Sequence, residues 1–210
     1  MEKLTRSFFT QPSLTVAEQL LGKIIVRRVG KKLIAGKIVE TEAYPGPHDR
    51  ASHAYNGRRT KRTEVEWNEG GFVYIYLVYG MYWQLNITTG RAGYPECVLI
   101  RALEIINRNG KLGNPSTSLR EYRKFDLTAN GPGKLCNYLK LDKSFYGEDV
   151  TKSKKLWLES GTRLKPLDAA RGKPFDVAQG KRINIDYAGK HYASRHWRFW
   201  IQGNQSVSKR

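Results

Sequence analysis

Strand-length apolar runs arrive in this chain as close neighbours, and that arrangement constrains the fold more than any other feature. Lys23 to Val29 and Leu33 to Ala43 are separated only by Gly30-Lys31-Lys32, and Phe72 to Tyr79 and Met81 to Thr89 only by Gly80. Cys97 to Leu103 follows soon after. Such short breaks leave no room for a crossover helix, so adjacent runs pair as antiparallel hairpins. Arg182 to Tyr187 and Arg198 to Ile201 read as further strands that complete the sheet. Helical signals are few. Thr15-Val16-Ala17-Glu18 has the form of a capping box with Gly22 as a stop, and Asn130-Gly131-Pro132-Gly133 introduces Lys134 to Leu141, where Leu135, Tyr138 and Leu139 have helical spacing. The prediction is an α+β fold with a mostly antiparallel sheet. With 210 residues and neither an internal repeat nor a low-complexity linker, residues 1–210 are read as a single domain.

Charge narrows the partner. Lys and Arg number 37 against 19 Asp and Glu, a formal balance of +18, which suits nucleic acid or an anionic membrane. The apolar runs are far too short to span a bilayer, and Met1 to Pro12 lacks the apolar segment of a leader. The expectation is a soluble intracellular protein with no membrane partner. Cys97 and Cys136 are too few for a disulfide framework, a structural Cys-rich zinc site or an iron–sulfur cluster, and a reducing compartment suits them. Twelve Tyr, five Trp and seven Phe supply flat faces on which bases can stack. Arg58, Arg59, Lys61 and Arg62 form the densest cationic cluster, just before the acidic stretch Glu64 to Glu69. The cluster is a candidate phosphate contact or a solvated face. Lys134 is another such candidate, at a Gly-rich helix start whose N–H groups could meet phosphate.

The stretch "ETEAYPGPHDRASHA", residues 40–54, holds most of the chemistry. Alternation puts Glu40, Glu42 and Tyr44 on one face of an extended strand. Glu42 reads either as a general base that activates water or as a structural carboxylate. His53 reads as a stacking group or a surface histidine. His48, Asp49 and His53 match none of the usual metal-ligand spacings, so no metal is expected. In "FVYIYLVYGMYWQLN", Tyr74 and Tyr76 share a face while Tyr79 falls on the other, beside Gly80. Asn86 and Arg101 are lone polar groups inside apolar strands and need partners if buried.

"GKIVETEAYPGPHDRASHA", "RRTKR", "VYIYLVYGMYWQLNI", "VLIRALE", "GPGKL" and "IDYAG", in this order, resemble the alkyladenine (3-methyladenine) DNA glycosylase family. The likeness runs from Leu21 to the closing "RFWIQGNQSVS"; "TEVEWNEGGF" is more acidic than usual, and Trp83-Gln84 also departs from the pattern. The resemblance implies a curved sheet with flanking helices and a protruding, DNA-inserting β-hairpin. It also implies a monofunctional, monomeric enzyme that bends double-stranded DNA, flips a damaged purine out of the stack and hydrolyses its N-glycosidic bond without a cofactor. By motif, Glu42 is then the catalytic base and Arg101 supports the water and the phosphate side. Tyr44, His53 and Tyr76 stack on the flipped base, Asn86 checks its minor-groove edge, and Tyr79 is the intercalating wedge. Such a repair enzyme belongs with the nucleoid in the bacterial cytoplasm, or in a eukaryotic nucleus. Two other readings fit the charge and aromatics: a non-catalytic minor-groove DNA-binding module, for which Glu42 has no use, and an RNA-binding domain.

Overall fold

Alternation along strands decides which side chains enter the core and which reach the opposite face of the sheet. The computed structural model describes residues 1–106, 128–161 and 177–208. Two short helices, α1 (Arg6–Phe9) and α2 (Ser13–Gln19), lead into β1 (Ile24–Val29) and β2 (Lys32–Tyr44). Then come β3 (Val73–Val78), β4 (Tyr82–Thr88), β5 (Cys97–Ile106), α3 (Pro132–Leu139) and β6 (Leu156–Glu159). The last elements are β7 (Val177–Gly180), α4 (Lys190–Ala193) and β8 (Arg198–Ile201). The strands form one curled sheet in the order β3-β4-β5-β2-β1-β6, with β8 bridging β2 and β7. Each pairing among these strands is antiparallel, so the α+β architecture is the one the neighbouring runs predict.

The long strand β2 is the hub. Its first half, Lys32 to Lys37, pairs with β1, and Glu40 to Glu42 pair with β8, while β5 runs along the other edge. The register with β5 shifts on both sides of Glu40, a bulge that bends the strand and lets it change partners. Val39 and Ala43, Val73 and Ile75, Leu85 and Ile87, and Val98, Ile100 and Ala102 face the core. Phe9, Val16, Ala17 and Leu20 from the N-terminal helices and Leu135 and Leu139 from α3 belong to the same core. Burying each of the larger side chains is worth roughly 1.5–3 kcal/mol. Thr41 ties the layers together by donating to Ala17 O at 2.8 Å. Gly70 marks a close backbone crossing, because a Cβ there would lie 2.0 Å from Phe9 O.

Besides the short helices α1 and α4, which it did not contain, the sequence reading differs from the structure in three places. The Thr15 capping box goes unused: α2 starts earlier, after Pro12, and the Ser13 N–H is satisfied by Glu96 Oε2 at 2.7 Å. A carboxylate from another loop replaces the local cap. The expected strand Arg182 to Tyr187 is a loop ending in a 3₁₀ turn, Asp186–Ala188, and the strand is β7, just before it. Arg182 is drawn inward to Asp49, and Asn184 has a φ of 59°, outside the range of any strand residue. The third difference is β6, which the sequence reading lacked and which pairs with β1 from Ile24↔Glu159 to Arg27↔Leu156.

Candidate active site

One row across the sheet assembles the site. Tyr74 pairs with Asn86, Asn86 with Leu99, and Leu99 with Glu42, so the polar members of this row project from the face opposite the core. Above it lies a cavity lined by Tyr44, His53, Tyr76 and Asn86, all of which the sequence reading put at the site, and by Glu66, Tyr74, Cys97 and Tyr187. The aromatic wall is ordered by edge contacts. The His53 and Tyr76 ring centroids are 4.7 Å apart and steeply inclined, and Tyr74 lies 5.2 Å from Tyr76. His53 Nδ1 shares a 2.6 Å hydrogen bond with the Tyr74 hydroxyl. Burial, and after it the charges of Arg62 and Arg58, push the His53 pKa down to about 4. The ring is therefore neutral at physiological pH and does not repel a cationic guest.

The inner cavity has about 30 Å³ of room, enough for a water and too little for a purine. It adjoins a hollow of about 330 Å³ walled by Arg50, Tyr55, Arg58 and Arg62. Ser52, His53 and Tyr187 border both spaces, so anything larger than a water passing from the hollow inward must displace part of that shared wall. Tyr187 reaches across with its hydroxyl, which donates to Ala51 O at 3.0 Å.

Glu42 lies behind Tyr44, fully buried. Its Oε2 accepts from the Tyr44 hydroxyl at 2.9 Å, and its Oε1 accepts from Ile183 N at 2.8 Å and faces Arg101 Nη1 at 3.2 Å. A carboxylate has about four acceptor positions, so this arrangement leaves capacity on Oε2. Burial first, then the Glu42 charge, raises the Tyr44 pKa well above the ordinary range, so its hydroxyl keeps its proton and donates it to the hydrogen bond. Arg101 joins the two buried carboxylates of β2: its Nε is 3.0 Å from Glu40 Oε1. Glu40 also accepts from Arg198 Nε at 2.7 Å and from Ser208 N at 2.7 Å. Burial works against the Arg101 charge, and Glu42 and Glu40 outweigh it, holding the guanidinium above its ordinary pKa. Arg101 thus acts on Glu42, with the Glu40–Arg198 pair behind it.

Tyr79 stands at the turn between β3 and β4, where Met81 N donates to Val78 O at 3.1 Å. Tyr79 and Gly80 both have positive φ, the mark of a type I′ turn. Tyr79 is 80% exposed, with Met81 and Tyr82 exposed beside it. Arg58, Arg59, Lys61, Arg62 and Lys134 are all exposed, yet not equivalent. Arg59 is paired to Glu64 at 2.6 Å, Arg62 lies over the Tyr76 ring at 4.9 Å, and Lys134 donates to Asn130 Oδ1 at 3.2 Å.

The sequence reading missed the residues that loops bring in. Arg182 is buried under Tyr44, its guanidinium 4.7 Å from that ring and 4.8 Å from Trp197. It donates to Ala43 O at 3.1 Å and makes a two-pronged ion pair with Asp49, which fastens the Pro-Gly-Pro loop under the pocket. Asp49 and Tyr187 do stand inside the quoted motifs "PGPHDR" and "IDYAG", whereas Arg182 has no local signal. Glu66 belongs to the acidic stretch, whose three acids part ways: Glu64 pairs with Arg59, Glu69 lies 3.3 Å from Arg6, and Glu66 enters the cavity.

The profile of a family described as Methylpurine-DNA glycosylase matches residues 7–205. A protein of Methanocella arvoryzae, named "putative 3-methyladenine DNA glycosylase", is 42% identical over 211 residues, covering 100% of this chain and 98% of its own length. Proteins of the same name from Clostridium novyi and Natranaerobius thermophilus are 40% and 39% identical. The former alignment covers 100% of both chains and the latter 98% of both.

Proposed function

Since the chain belongs to the methylpurine-DNA glycosylase family, we propose that it excises alkylated and otherwise damaged purines of the 3-methyladenine type from duplex DNA by flipping the nucleotide and hydrolysing its glycosidic bond. Membership makes it a DNA glycosylase; the substrate range, the flipping and the residue roles are this further reading. It takes residues 1–210 as one catalytic unit acting as a monomer.

The observation that carries it is Glu42, a fully buried carboxylate held by three donors beside an aromatic cavity, in a chain otherwise built to attract phosphate. A water on the remaining Oε2 position would give its proton to Glu42 as its oxygen bonds to C1′. The electron pair of the breaking bond leaves with the purine. Positive charge grows on the sugar as the bond opens, so a fixed carboxylate there favours the transition state over the ground state. Arg101 is the positioning residue for Glu42. Tyr44, His53 and Tyr76 hold the base, the Asn86 amide opposes a purine amino group at the minor-groove edge, and Tyr79 fills the gap in the helix. Arg58, Arg59, Lys61, Arg62 and Lys134 supply phosphate contacts. A non-catalytic minor-groove module would gain nothing from a carboxylate held in this way.

Glu42→Gln tests the mechanism. The change keeps volume and loses the base, so single-turnover release of 3-methyladenine should fall at least about a hundredfold. Binding to lesion duplex should hold or tighten, because a charge that repels phosphate is gone. A folded Gln variant that excises at nearly the wild-type rate would return Glu42 to a structural role.

A further inference from the structure

Glu66 is a buried acid that the mechanism above does not use. It sits on the 3₁₀ turn Glu64–Trp67 and is only 2% exposed, on the cavity wall beside Asn86 and Cys97. Its Oε1 accepts from Cys97 Sγ at 3.6 Å, whereas Oε2 has no hydrogen-bond partner among the described residues. A buried carboxyl oxygen without a partner is costly unless a ligand completes it. The groups around it are almost all neutral: Cys97 on β5, Tyr74 and Tyr76 on β3, Asn86 on β4, Tyr146 on the loop behind the turn, and His53 across the cavity. Arg62 is the one cation that acts on it among the described residues. Burial overrides the Cys97 hydrogen bond and Arg62, and pushes the Glu66 pKa up to about 8. At neutral pH the carboxyl carries its proton, and with Oε1 accepting from the thiol, Oε2–H is the end left to donate.

We propose that Glu66 is a general acid that protonates neutral purines in this pocket, so that they leave as readily as cationic ones. The proposal rests on the glycosylase reading above. As C1′–N9 breaks, its electron pair passes to the purine and the Oε2 proton bonds to a ring nitrogen, giving the neutral free base. Glu66 is left as a carboxylate and regains its proton from solvent after release. Glu42 meanwhile holds the proton taken from water, and the water oxygen is bonded to C1′. A purine alkylated to a cation already leaves as a neutral base and needs no proton from Glu66.

Two duplexes separate the roles, one carrying deoxyinosine as the neutral purine and one methylated to carry cationic 3-methyladenine, each followed in single turnover from pH 6 to 9.5. For the wild-type protein, hypoxanthine release should fall about tenfold per unit above roughly pH 8 while 3-methyladenine release lacks that limb. Glu66→Gln should lower hypoxanthine release at least about a hundredfold and abolish the alkaline limb, with 3-methyladenine release changed by less than about tenfold. Equal losses on both duplexes, or an alkaline limb that survives in the Gln variant, would overturn the role of Glu66. Release of 3-methyladenine with no hypoxanthine at any pH overturns Glu66 alone. Release of neither base by the folded wild-type protein overturns the glycosylase reading, and this proposal with it. The wild-type comparison stands even if the variant fails to fold.

Discussion

His53 shows how a single residue records the demands of the site. Its ring is kept neutral by burial and by Arg62 and Arg58, with a pKa pushed down to about 4 from an ordinary 6.5. The unfolded chain therefore binds a proton at His53 between those values while the folded chain does not, so folding stability must drop as pH falls from 6.5 towards 4. The full penalty is on the order of 3 kcal/mol. His53→Gln removes the group, and the wild-type loss of melting temperature between pH 7 and pH 4.5 should exceed the variant's; equal losses would mean the ring is charged in the native state. Legibility at this scale followed the strand. Glu42, Tyr44 and Tyr76 could be put on faces because alternation orders side chains along one run, and Asn86 stood out as a lone amide inside an apolar strand. Glu66 and Tyr187 reach the cavity from 3₁₀ turns and Arg182 packs beneath Tyr44 from a loop, and no periodicity orders such segments. The stretch 40–54 exposed Asp49 only as a rejected metal ligand, because its partner Arg182 lies far away in sequence.

Among the elements, the β3–β4 hairpin carries the clearest conflict between local preference and conformation. Tyr79 has a φ of 53°, a region that costs a residue with a Cβ about 1 kcal/mol or more, and its ring is 80% exposed, so folding gains little from it. Tyr79→Gly should leave the melting temperature unchanged or higher, because glycine occupies this region without penalty. If the ring wedges into duplex DNA, the same variant should lose selective binding to lesion duplex. A marked fall in thermal stability would make Tyr79 a packing residue and remove the wedge. The hairpin was readable because the Gly80 break and the flanking apolar runs are local signals. The start of α2 and the loop at Arg182 were not, since each is decided by a distant carboxylate, Glu96 in one case and Asp49 in the other. The bulge at Glu40, which lets β2 exchange β1 for β8, also depends on which strands arrive at its edge.

For the molecule as a whole, the decisive quantity is where the +18 resides. Arg101, Arg182 and Arg198 are buried against Glu40, Glu42 and Asp49, three cations matched by three carboxylates, so the entire excess is left to the rest of the chain. Composition revealed the amount but not this partition, since the sequence does not distinguish an arginine that holds a carboxylate from one that meets phosphate. Near the cavity mouth Arg59 is paired to Glu64, whereas Arg58 and Lys61 are exposed, and Arg58 walls the outer hollow. If phosphates lie along this rim, the logarithm of the binding constant for duplex DNA should fall steeply and linearly with the logarithm of salt concentration, by about 0.9 for each phosphate neutralised. Replacing Arg58 and Lys61 together by Gln should make that slope shallower by about two, with the melting temperature unchanged, because each lost contact returns its condensed counterions to the DNA. Both lesion and undamaged duplex should show the same change, as phosphate contacts do not read the base. A slope that stays as steep in the double variant would move the phosphate track away from this rim, and a flat slope in the wild type would leave the charge without a nucleic-acid role.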